Sequence, residues 1–355
     1  MSTGIFLLRR LASALLTLLV VTVLLYGVST LSSAEERAFL YIPAPRNDEK
    51  PISQGLINTA IKQHGFDAPF PIQYGRWIIA LVKGDWGWSP TANTYVLPVL
   101  LRRSQATAEL TLFSILVFIP TGLAFGALAG WRRDHWQDKS FRLAAYVAIS
   151  LPPFILAVIF LGTFYAQMKM FPPGRISDMM ARVVDSASFI HITGLLTVDS
   201  LLNGRLDVFG DVVNHLAMPV LTLSLFHWAT LGLVTRAAMI EENGKDYILT
   251  AASKGLSGRQ VYRRHAFRNV LAPALNSSAL SAVSLVTGVF VVESIYDYKG
   301  VSYLVRNALL APAIDIPVVM GFTIYAVLMV LAIMFVLDLL QALADPRYRE
   351  RLANQ

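Results

Sequence analysis

Few of the side chains that usually carry out catalysis or hold metals occur in this sequence with a useful spacing. The chain of 355 residues contains no cysteine, which excludes disulfides, thiolate metal sites and thiol nucleophiles. Its six histidines are scattered without metal-ligand spacing, and no Ser/His/Asp arrangement stands out. No G-x-x-x-x-G-K-[ST] loop that could cradle phosphates is present. The sequence therefore predicts a protein without catalytic residues, metal or cofactor of its own.

The composition indicates a protein whose outer surface faces lipid. Hydrophobic residues make up 55% of the chain and charged residues only 15%, with a mean hydropathy of +0.54. Soluble domains carry about 25% charged residues. We therefore expect an all-α integral membrane protein.

Six apolar stretches are long enough to cross the hydrocarbon core, which takes roughly 20 residues each. The first is too long for a cleavable signal peptide, whose apolar region has about 7–15 residues, so it is expected to be retained as an anchor. In the third, Pro152 and Pro153 predict a kink, and in the second, Gly122 and Gly126 have the spacing of closely packed helices. The six stretches are Leu11–Leu31, Ala106–Trp131, Leu143–Met168, Leu216–Thr235, Leu271–Val292 and Ile316–Leu337.

The basic residues predict which side of the membrane each loop occupies. The net charge is +7, and about half of the 30 Lys and Arg fall in the segments that six spans would place on the side of both termini. The density of basic residues there is about twice that on the other side, so both termini are expected to be cytoplasmic. Because these residues flank spans instead of gathering on one soluble domain, the sequence does not predict nucleic-acid binding.

The loop between the fourth and fifth spans reads as two short helices joined by a glycine. The first covers Lys245–Lys254, and Gly255 provides a left-handed stop. Ser257 and Gln260 have the spacing of a capping box, which would begin a second helix over Gly258–Val270. Such a pair could dock in a groove on another protein, or it could lie at the membrane surface as an amphipathic loop. The sequence of the loop alone favours neither docking on a protein nor a position at the membrane surface.

Several polar residues lie within or near the predicted spans. His227 falls inside the fourth, where a polar group is either functional or packed through hydrogen bonds. Glu109 and Glu293 lie near the outer ends of the second and fifth spans. They are expected to line an aqueous vestibule, to be solvated at the span ends, or to pair with arginine.

The loop between the fourth and fifth spans resembles the cytoplasmic loop of ABC-importer permeases, most closely that of the dipeptide/oligopeptide/nickel group. The resemblance extends in order over nearly the whole chain, although Thr250 stands where the family usually has an acidic residue. It rests on residues 246–257, Arg264-His265-Ala266-Phe267-Arg268-Asn269, Gly65-Phe66-Asp67-Ala68-Pro69, Gly84-Asp85-Trp86-Gly87, Ala106-Thr107-Ala108-Glu109-Leu110, Ser150-Leu151-Pro152-Pro153-Phe154 and Asp345-Pro346-Arg347.

The resemblance implies a non-catalytic permease subunit of an ATP-driven importer in the bacterial cytoplasmic (inner) membrane. Its implied partners are a homologous second permease subunit, two ABC ATPase subunits, an extracytoplasmic solute-binding protein and membrane lipid. It also implies that the loop between spans four and five docks on the ATPases as a pair of coupling helices. The residues assigned to this coupling loop are Asp246, Tyr247, Ala251, Ala252, Lys254, Gly255 and Leu256.

The domain division and the alternative functions follow from these assignments. We expect an N-terminal anchor helix with a long external loop over 1–105, and a five-helix permease core over 106–342. The core would contain the coupling loop 236–274, and a cytoplasmic tail would cover 343–355. The alternatives are a secondary transporter driven by an ion gradient, or an ABC importer for a non-peptide solute such as nickel complexes or glycan fragments. A secondary transporter would be expected to show internal repeats and charges deep within its spans.

Overall fold

The computed structural model describes residues 3–39, 41–42, 53–312 and 314–344. Regular structure in these ranges is almost all helical, and it includes two π-helical turns, Leu161–Gln167 and Tyr262–Ala266. A short hairpin pairs β1 (Trp88–Ser89) antiparallel with β2 (Thr94–Tyr95). The helices are α1 (Thr3–Ser29), α2 (Ala34–Phe39), α3 (Gln54–His64), α4 (Phe70–Val82), α5 (Val96–Trp131), α6 (Trp136–Ser150), α7 (Pro153–Phe160), α8 (Asp178–Val184), α9 (Leu196–Leu202), α10 (Leu206–Asn243), α11 (Asp246–Ser253), α12 (Gly258–Val261), α13 (Phe267–Ile295), α14 (Val301–Leu310) and α15 (Ile316–Ala344).

Four helices among the described residues are long and apolar enough to cross a membrane, and a bent pair of helices would provide a fifth span. This confirms the predicted all-α membrane class. The predicted fifth span lies within α13. The apolar part of this helix, Ser281–Ile295, is shorter than the four candidate spans. The count of six spans therefore stays a prediction. The four candidate spans are Leu8–Ser29, Val96–Trp131, Leu206–Asn243 and Ile316–Leu339.

The third predicted span is broken at its paired prolines. The bent pair consists of α6 and of α7 with its π-helical turn, and it turns through 98°. Leu151 and Pro152 both have extended backbone conformations, whereas Pro153 begins α7. A proline disfavours the helical conformation of the residue before it, so two in succession end one helix and start another. The kink predicted over Leu143–Met168 is thus a full break between two helices.

The chain divides into two compact units. The first contains residues 1–9, 105–302 and 329–355, and the second contains residues 10–104 and 303–328. The division predicted from the sequence stays a prediction, and the predicted Asp345-Pro346-Arg347 motif lies outside the described residues.

The centre of the first unit is α10. This helix packs against α6, α7, α9 and α13. Leu216, Leu223 and Leu231 of α10 are buried, and Leu285 and Val289 of α13 are buried in the same cluster. Because lipid chains are as apolar as these side chains, packing and not exclusion of water holds such helices together within a bilayer.

Two glycines let α5 approach the backbone of α10 closely. A Cβ atom on Gly126 would lie 2.3 Å from the carbonyl oxygen of Gly232, and one on Gly130 would lie 2.5 Å from that of Arg236. A Cβ on Gly122 would meet only the side chain of Leu231, at 3.1 Å. The small-residue spacing in this span therefore marks a real backbone contact.

A buried ion pair joins α6 to α10. The carboxylate of Asp138 is fully buried, and the guanidinium of Arg236 donates to both of its oxygens, at 2.5 Å from Nε and 2.8 Å from Nη2. The backbone N–H of Asp134 donates a further bond of 3.0 Å. Two parallel charge-assisted bonds of this kind fix geometry as well as contributing energy.

Replacing Asp138 with Asn should destabilise the first unit by about 2 kcal/mol, because the Arg236 charge then stays buried without a counter-ion. Unfolding of the detergent-purified chain would measure the loss. Asp134→Asn is the matched control, since Asp134 has a positive φ that Asn tolerates and its ion pair with Arg133 is exposed. That control should change stability by less than about 0.5 kcal/mol. Equal effects of the two exchanges would contradict a stabilising role for the pair.

In the second unit, Asp315 connects the β-hairpin to the start of α15. Its carboxylate accepts hydrogen bonds from the hydroxyls of Ser89, at 2.6 Å, and Thr91, at 2.7 Å. The backbone N–H of Val318 also donates to it, at 3.2 Å, as expected for an acidic residue at a helix N-terminus. A Cβ atom on Gly87 would lie 3.2 Å from Pro317, so the hairpin approaches this helix closely.

Candidate functional site

The left-handed turn of the predicted coupling loop is present. α11 ends at Ser253, and Gly255 follows with a φ of +80°. No atom lies within 4 Å of where its Cβ would be, so the backbone conformation and not crowding favours glycine here. The backbone N–H of Ser257 donates to the side chain of Gln260 at 2.9 Å, which confirms the predicted capping box.

The second predicted helix of this loop does not end where the sequence suggested. Instead of a separate helix over Gly258–Val270, α12 continues through its π-helical turn into α13. Pro273, which stands near the start of the predicted fifth span Leu271–Val292, lies inside α13. No glycine that could end the helix stands between Gly258 and Pro273. Inside a helix bundle, the hydrogen bond that a proline removes can be tolerated.

A cluster around Glu242 anchors the start of α11. The hydroxyl of Tyr247 donates to Glu242, and the side-chain amide of Asn269 donates to Tyr247 at 2.8 Å and to Glu242 at 3.1 Å. The ammonium of Lys245 also bonds to Glu242. Burial and the adjacent carboxylate raise the pKa of Tyr247 to about 12, and the hydrogen bond to Glu242 raises the pKa of Lys245. The cluster holds together the end of α10 and the starts of α11 and α13.

The inner face of α11 is buried. Ile248 and Ala251 pack with Met239 of α10 and Ala127 of α5, and Leu256 is partly buried against the same cluster. The loop is therefore fixed to the helices that carry it.

The outer face of α11 is exposed and carries an apolar residue that the sequence reading did not single out. Leu249 is 62% exposed, and Ala252 is exposed three residues further on. Residues three apart share one face of a helix, so these two side chains form a small apolar surface. The i, i+3 spacing was visible in the sequence, but only burial of the opposite face shows which side is free.

The predicted coupling residues thus fall into two groups. Asp246, Ala252, Lys254 and Gly255 are exposed. Tyr247, Ala251 and Leu256 face inward and position the loop. We call Leu249, Ala252, Lys254 and Gly255 the α11 surface.

Basic side chains line an open groove after the turn. The groove has a volume of about 460 Å³ and includes Arg259, Arg263 and Arg264, together with Ser257 and Gln260. It gives this end of the loop a positive charge, which would complement acidic residues of a protein partner.

Glu109 is paired with an arginine, one of the roles predicted for it. It is fully buried, and Arg175 donates to its Oε2 from Nη2 at 2.7 Å and from Nε at 3.1 Å. The backbone N–H and hydroxyl of Thr197 donate to Oε1 at 2.7 and 2.8 Å. Charge-assisted bonds therefore join α5 to the loop between α7 and α10.

Asp199 braces the turn at Thr193 and Gly194, which accepts a hydrogen bond from Arg175. Its carboxylate accepts bonds from the backbone N–H groups of Thr193, at 2.8 Å, and Gly194, at 2.9 Å. Burial opposes ionisation of Asp199, but these bonds prevail and lower its pKa. The carbonyl of Gly194 in turn accepts a 3.1 Å bond from Arg175.

Glu293 bonds to neutral donors. Thr107 donates to it at 2.5 Å, and the backbone N–H of Ser302 donates at 3.0 Å. His227 is buried in α10 and packs between the rings of Phe118 and Phe226. Neither residue is exposed, so both contribute to the packing of the first unit.

The long apolar helices and their buried contacts define an α-helical membrane protein that crosses the bilayer several times. Residues 122–350 match the family model described as "Binding-protein-dependent transport system inner membrane component". The chain belongs to this family and is a multi-pass protein of the inner membrane. The resemblance seen in the sequence is confirmed.

Relatives match over most of the chain. A probable D,D-dipeptide transport system permease protein of Escherichia coli is 31% identical over 296 residues, which are 83% of this chain and 85% of that protein. A putative peptide transport system permease protein of Brucella abortus is 30% identical over 342 residues, or 96% and 98% of the two chains. A dipeptide transport system permease protein of Alkalihalophilus pseudofirmus is 29% identical over 286 residues, or 80% and 83%.

Proposed function

We propose that the chain is the membrane-spanning subunit of an ATP-driven importer for peptides or related solutes. It would cross the membrane six times with both termini in the cytoplasm. The support for the substrate class is that the relatives described above are named as peptide or dipeptide transport system permeases over 80–96% of this chain. An ion-gradient-driven transporter is not favoured, because those relatives and the family are components of binding-protein-dependent systems.

The observation that carries the mechanism is the α11 surface, in which Leu249 and Ala252 form a small apolar patch on a firmly anchored helix. Leu249 and Ala252 project from a helix whose other face is buried and whose start is fixed by the Glu242 cluster. An anchored helix of this kind can transmit the movement of a partner to α10 and α13, because it does not yield independently. We propose that it docks on a cytoplasmic ATPase, and that the chain itself is not catalytic.

The complete assembly would contain two ATPase subunits, a second and homologous permease subunit, and an extracytoplasmic binding protein that delivers the solute. Closure of the ATPases on ATP would move the two coupling loops together. The permease pair would then alternate between outward-open and inward-open states.

Ala252→Glu tests this docking. A charge placed in a buried apolar contact without a partner should reduce recovery of the ATPase at least about tenfold. The measurement is a pull-down of the tagged chain from membranes in mild detergent, followed by mass spectrometry. Ala187→Glu is the matched control, since Ala187 is also exposed but lies in the loop between α8 and α9.

The parent chain and the Ala187 variant should recover an ATPase, and the Ala252 variant should not. If the folded parent chain recovers no ATPase in several detergents, the importer assignment is wrong. If Ala252→Glu recovers as much ATPase as the parent does, the importer could stand but the α11 surface would not be its docking site.

A further inference from the structure

The second unit contains a cavity that the transport mechanism above does not use. Its volume is about 410 Å³, within the range of roughly 300–1,000 Å³ that is usual for small-molecule sites. Aromatic rings form much of its wall, contributed by α1 and α4, by the segments that follow α2 and α3, and by the hairpin region. They include Tyr26, Tyr41, Phe66, Trp77 and Trp86.

A buried arginine lines this cavity with part of its hydrogen-bonding capacity unused. Arg37 is only 8% exposed, and its guanidinium lies 4.9 Å from the ring centre of Phe66. Its Nη1 donates to the side-chain oxygen of Gln73 at 2.8 Å. Its Nε is buried, and within the part of the chain that the structure describes it has no hydrogen-bond partner. The guanidinium pairs with no carboxylate among the described residues, and because a buried charge usually has a counter-ion, this favours an anionic ligand beside Arg37.

The hydrogen bond to Gln73 fixes the orientation of the Arg37 side chain. The amide nitrogen of Gln73 donates to the carbonyl oxygens of Phe66, at 3.0 Å, and Ala68, at 2.6 Å. The side-chain oxygen of Gln73 is thereby held in place for Arg37, and the hydroxyl of Tyr26 donates to it as well, at 3.3 Å. The guanidinium is thus held in place before any ligand arrives, which lowers the entropic cost of binding.

Charges of both signs line the cavity. Arg76 adds a second guanidinium, and Asp85 contributes a carboxylate whose Oδ1 accepts the backbone N–H of Gly87 at 3.1 Å. Tyr41 lies near charges of both kinds. Its pKa is raised mainly by burial and further by Asp85, whereas Arg37 opposes the rise. A ligand in this space would therefore meet a positive and a negative group around the same aromatic wall.

We propose that this cavity binds a short zwitterionic peptide, whose carboxylate pairs with Arg37 and whose ammonium group faces Asp85. The aromatic rings would enclose the apolar side chain of the peptide. The choice of a peptide over another small zwitterion rests on the proposed function.

The test uses the full chain in nanodiscs and the dipeptide Ala-Phe as the probe. Trp77, Trp86 and Trp88 line the cavity, so binding should change the intrinsic tryptophan fluorescence. Ala-Phe amide, which lacks the carboxylate, should bind at least about tenfold more weakly, because a hydrogen-bonded charge is lost. N-acetyl-Ala-Phe, which lacks the ammonium group, should also bind more weakly than Ala-Phe.

Two variants assign the two ends of the peptide. Arg37→Gln should weaken Ala-Phe binding at least about tenfold and abolish the preference over the amide. Asp85→Asn keeps an oxygen for the N–H of Gly87, so it should fold. It should weaken the binding of Ala-Phe and leave the binding of N-acetyl-Ala-Phe unchanged. This variant keeps the test valid if the Arg37 variant does not fold. Arg182→Gln is the control, since Arg182 is an exposed arginine of the first unit.

The inference is overturned if Ala-Phe does not bind, if its amide binds equally well, or if the folded variants bind as the parent does. It is also overturned if dioctanoyl phosphatidylglycerol, and not the peptide, gives an Arg37-dependent fluorescence change, because the cavity would then hold a lipid headgroup. ATPase recovery in the pull-down separates the two proposals. Recovery without Ala-Phe binding contradicts only this site, and binding without recovery contradicts only the importer assignment.

Discussion

Glu109→Gln is expected to lower the free energy of unfolding by about 3–5 kcal/mol, because it leaves the charge of Arg175 largely buried without a counter-ion. The lost contact is substantial, since two nitrogens of Arg175 and both polar groups of Thr197 donate to this one carboxylate. Unfolding of the detergent-purified chain, followed by the loss of monodisperse protein on heating, would measure the effect.

The control for Glu109 is an exposed ion pair of the same unit. Arg205 and Asp207 form a bidentate pair with 40% and 46% of their side chains exposed, so Asp207→Asn should change stability far less than Glu109→Gln does. A further comparison is the double variant Glu109→Gln with Arg175→Met. It should lose less stability than the sum of the two single exchanges, because no uncompensated charge stays behind. Strict additivity would contradict a direct pair.

Features that depend on neighbouring residues could be predicted from the sequence. The left-handed Gly255 and the capping box of Ser257 and Gln260 follow from local backbone geometry and side-chain reach. The long apolar helices could be predicted too, because they depend on composition over about 20 residues.

Features that depend on distant contacts could not be predicted. Arg175, the partner of Glu109, lies 66 residues away along the chain, and Asp315 lies 226 residues from Ser89. The sequence placed an acidic group near a helix end, but a one-dimensional pattern does not specify which cation the fold brings to it. Likewise, the exposure of Leu249 depends on which face of α11 the rest of the first unit covers.

The two proline sites also show that the effect of a residue on the backbone depends on its surroundings. Pro152 and Pro153 were expected to kink a helix and instead separate two helices, whereas Pro273 lies within one continuous helix. A proline removes one backbone donor in each case. What differs is the surroundings. At the first site a second proline follows at once, and at the second the neighbouring residues continue the helix.

Gly126→Ala should destabilise the first unit by about 3 kcal/mol. Its Cβ would lie 2.3 Å from the carbonyl oxygen of Gly232, and a backbone oxygen has no rotamer by which to withdraw. The helices α5 and α10 would have to separate along a contact that helix packing in membranes depends on. The measurement is again unfolding of the detergent-purified chain.

A graded series makes the effect of Gly126 specific. Gly122→Ala should cost less, since its Cβ would meet only the Leu231 side chain at 3.1 Å, which can shift. Gly210→Ala in α10 should be neutral or stabilising by up to about 1 kcal/mol, because no atom lies within 4 Å and alanine favours the helix. The order of loss should therefore be Gly126, then Gly122, then Gly210. If Gly126→Ala is no more harmful than Gly210→Ala, the backbones of α5 and α10 are not in close contact in the folded protein.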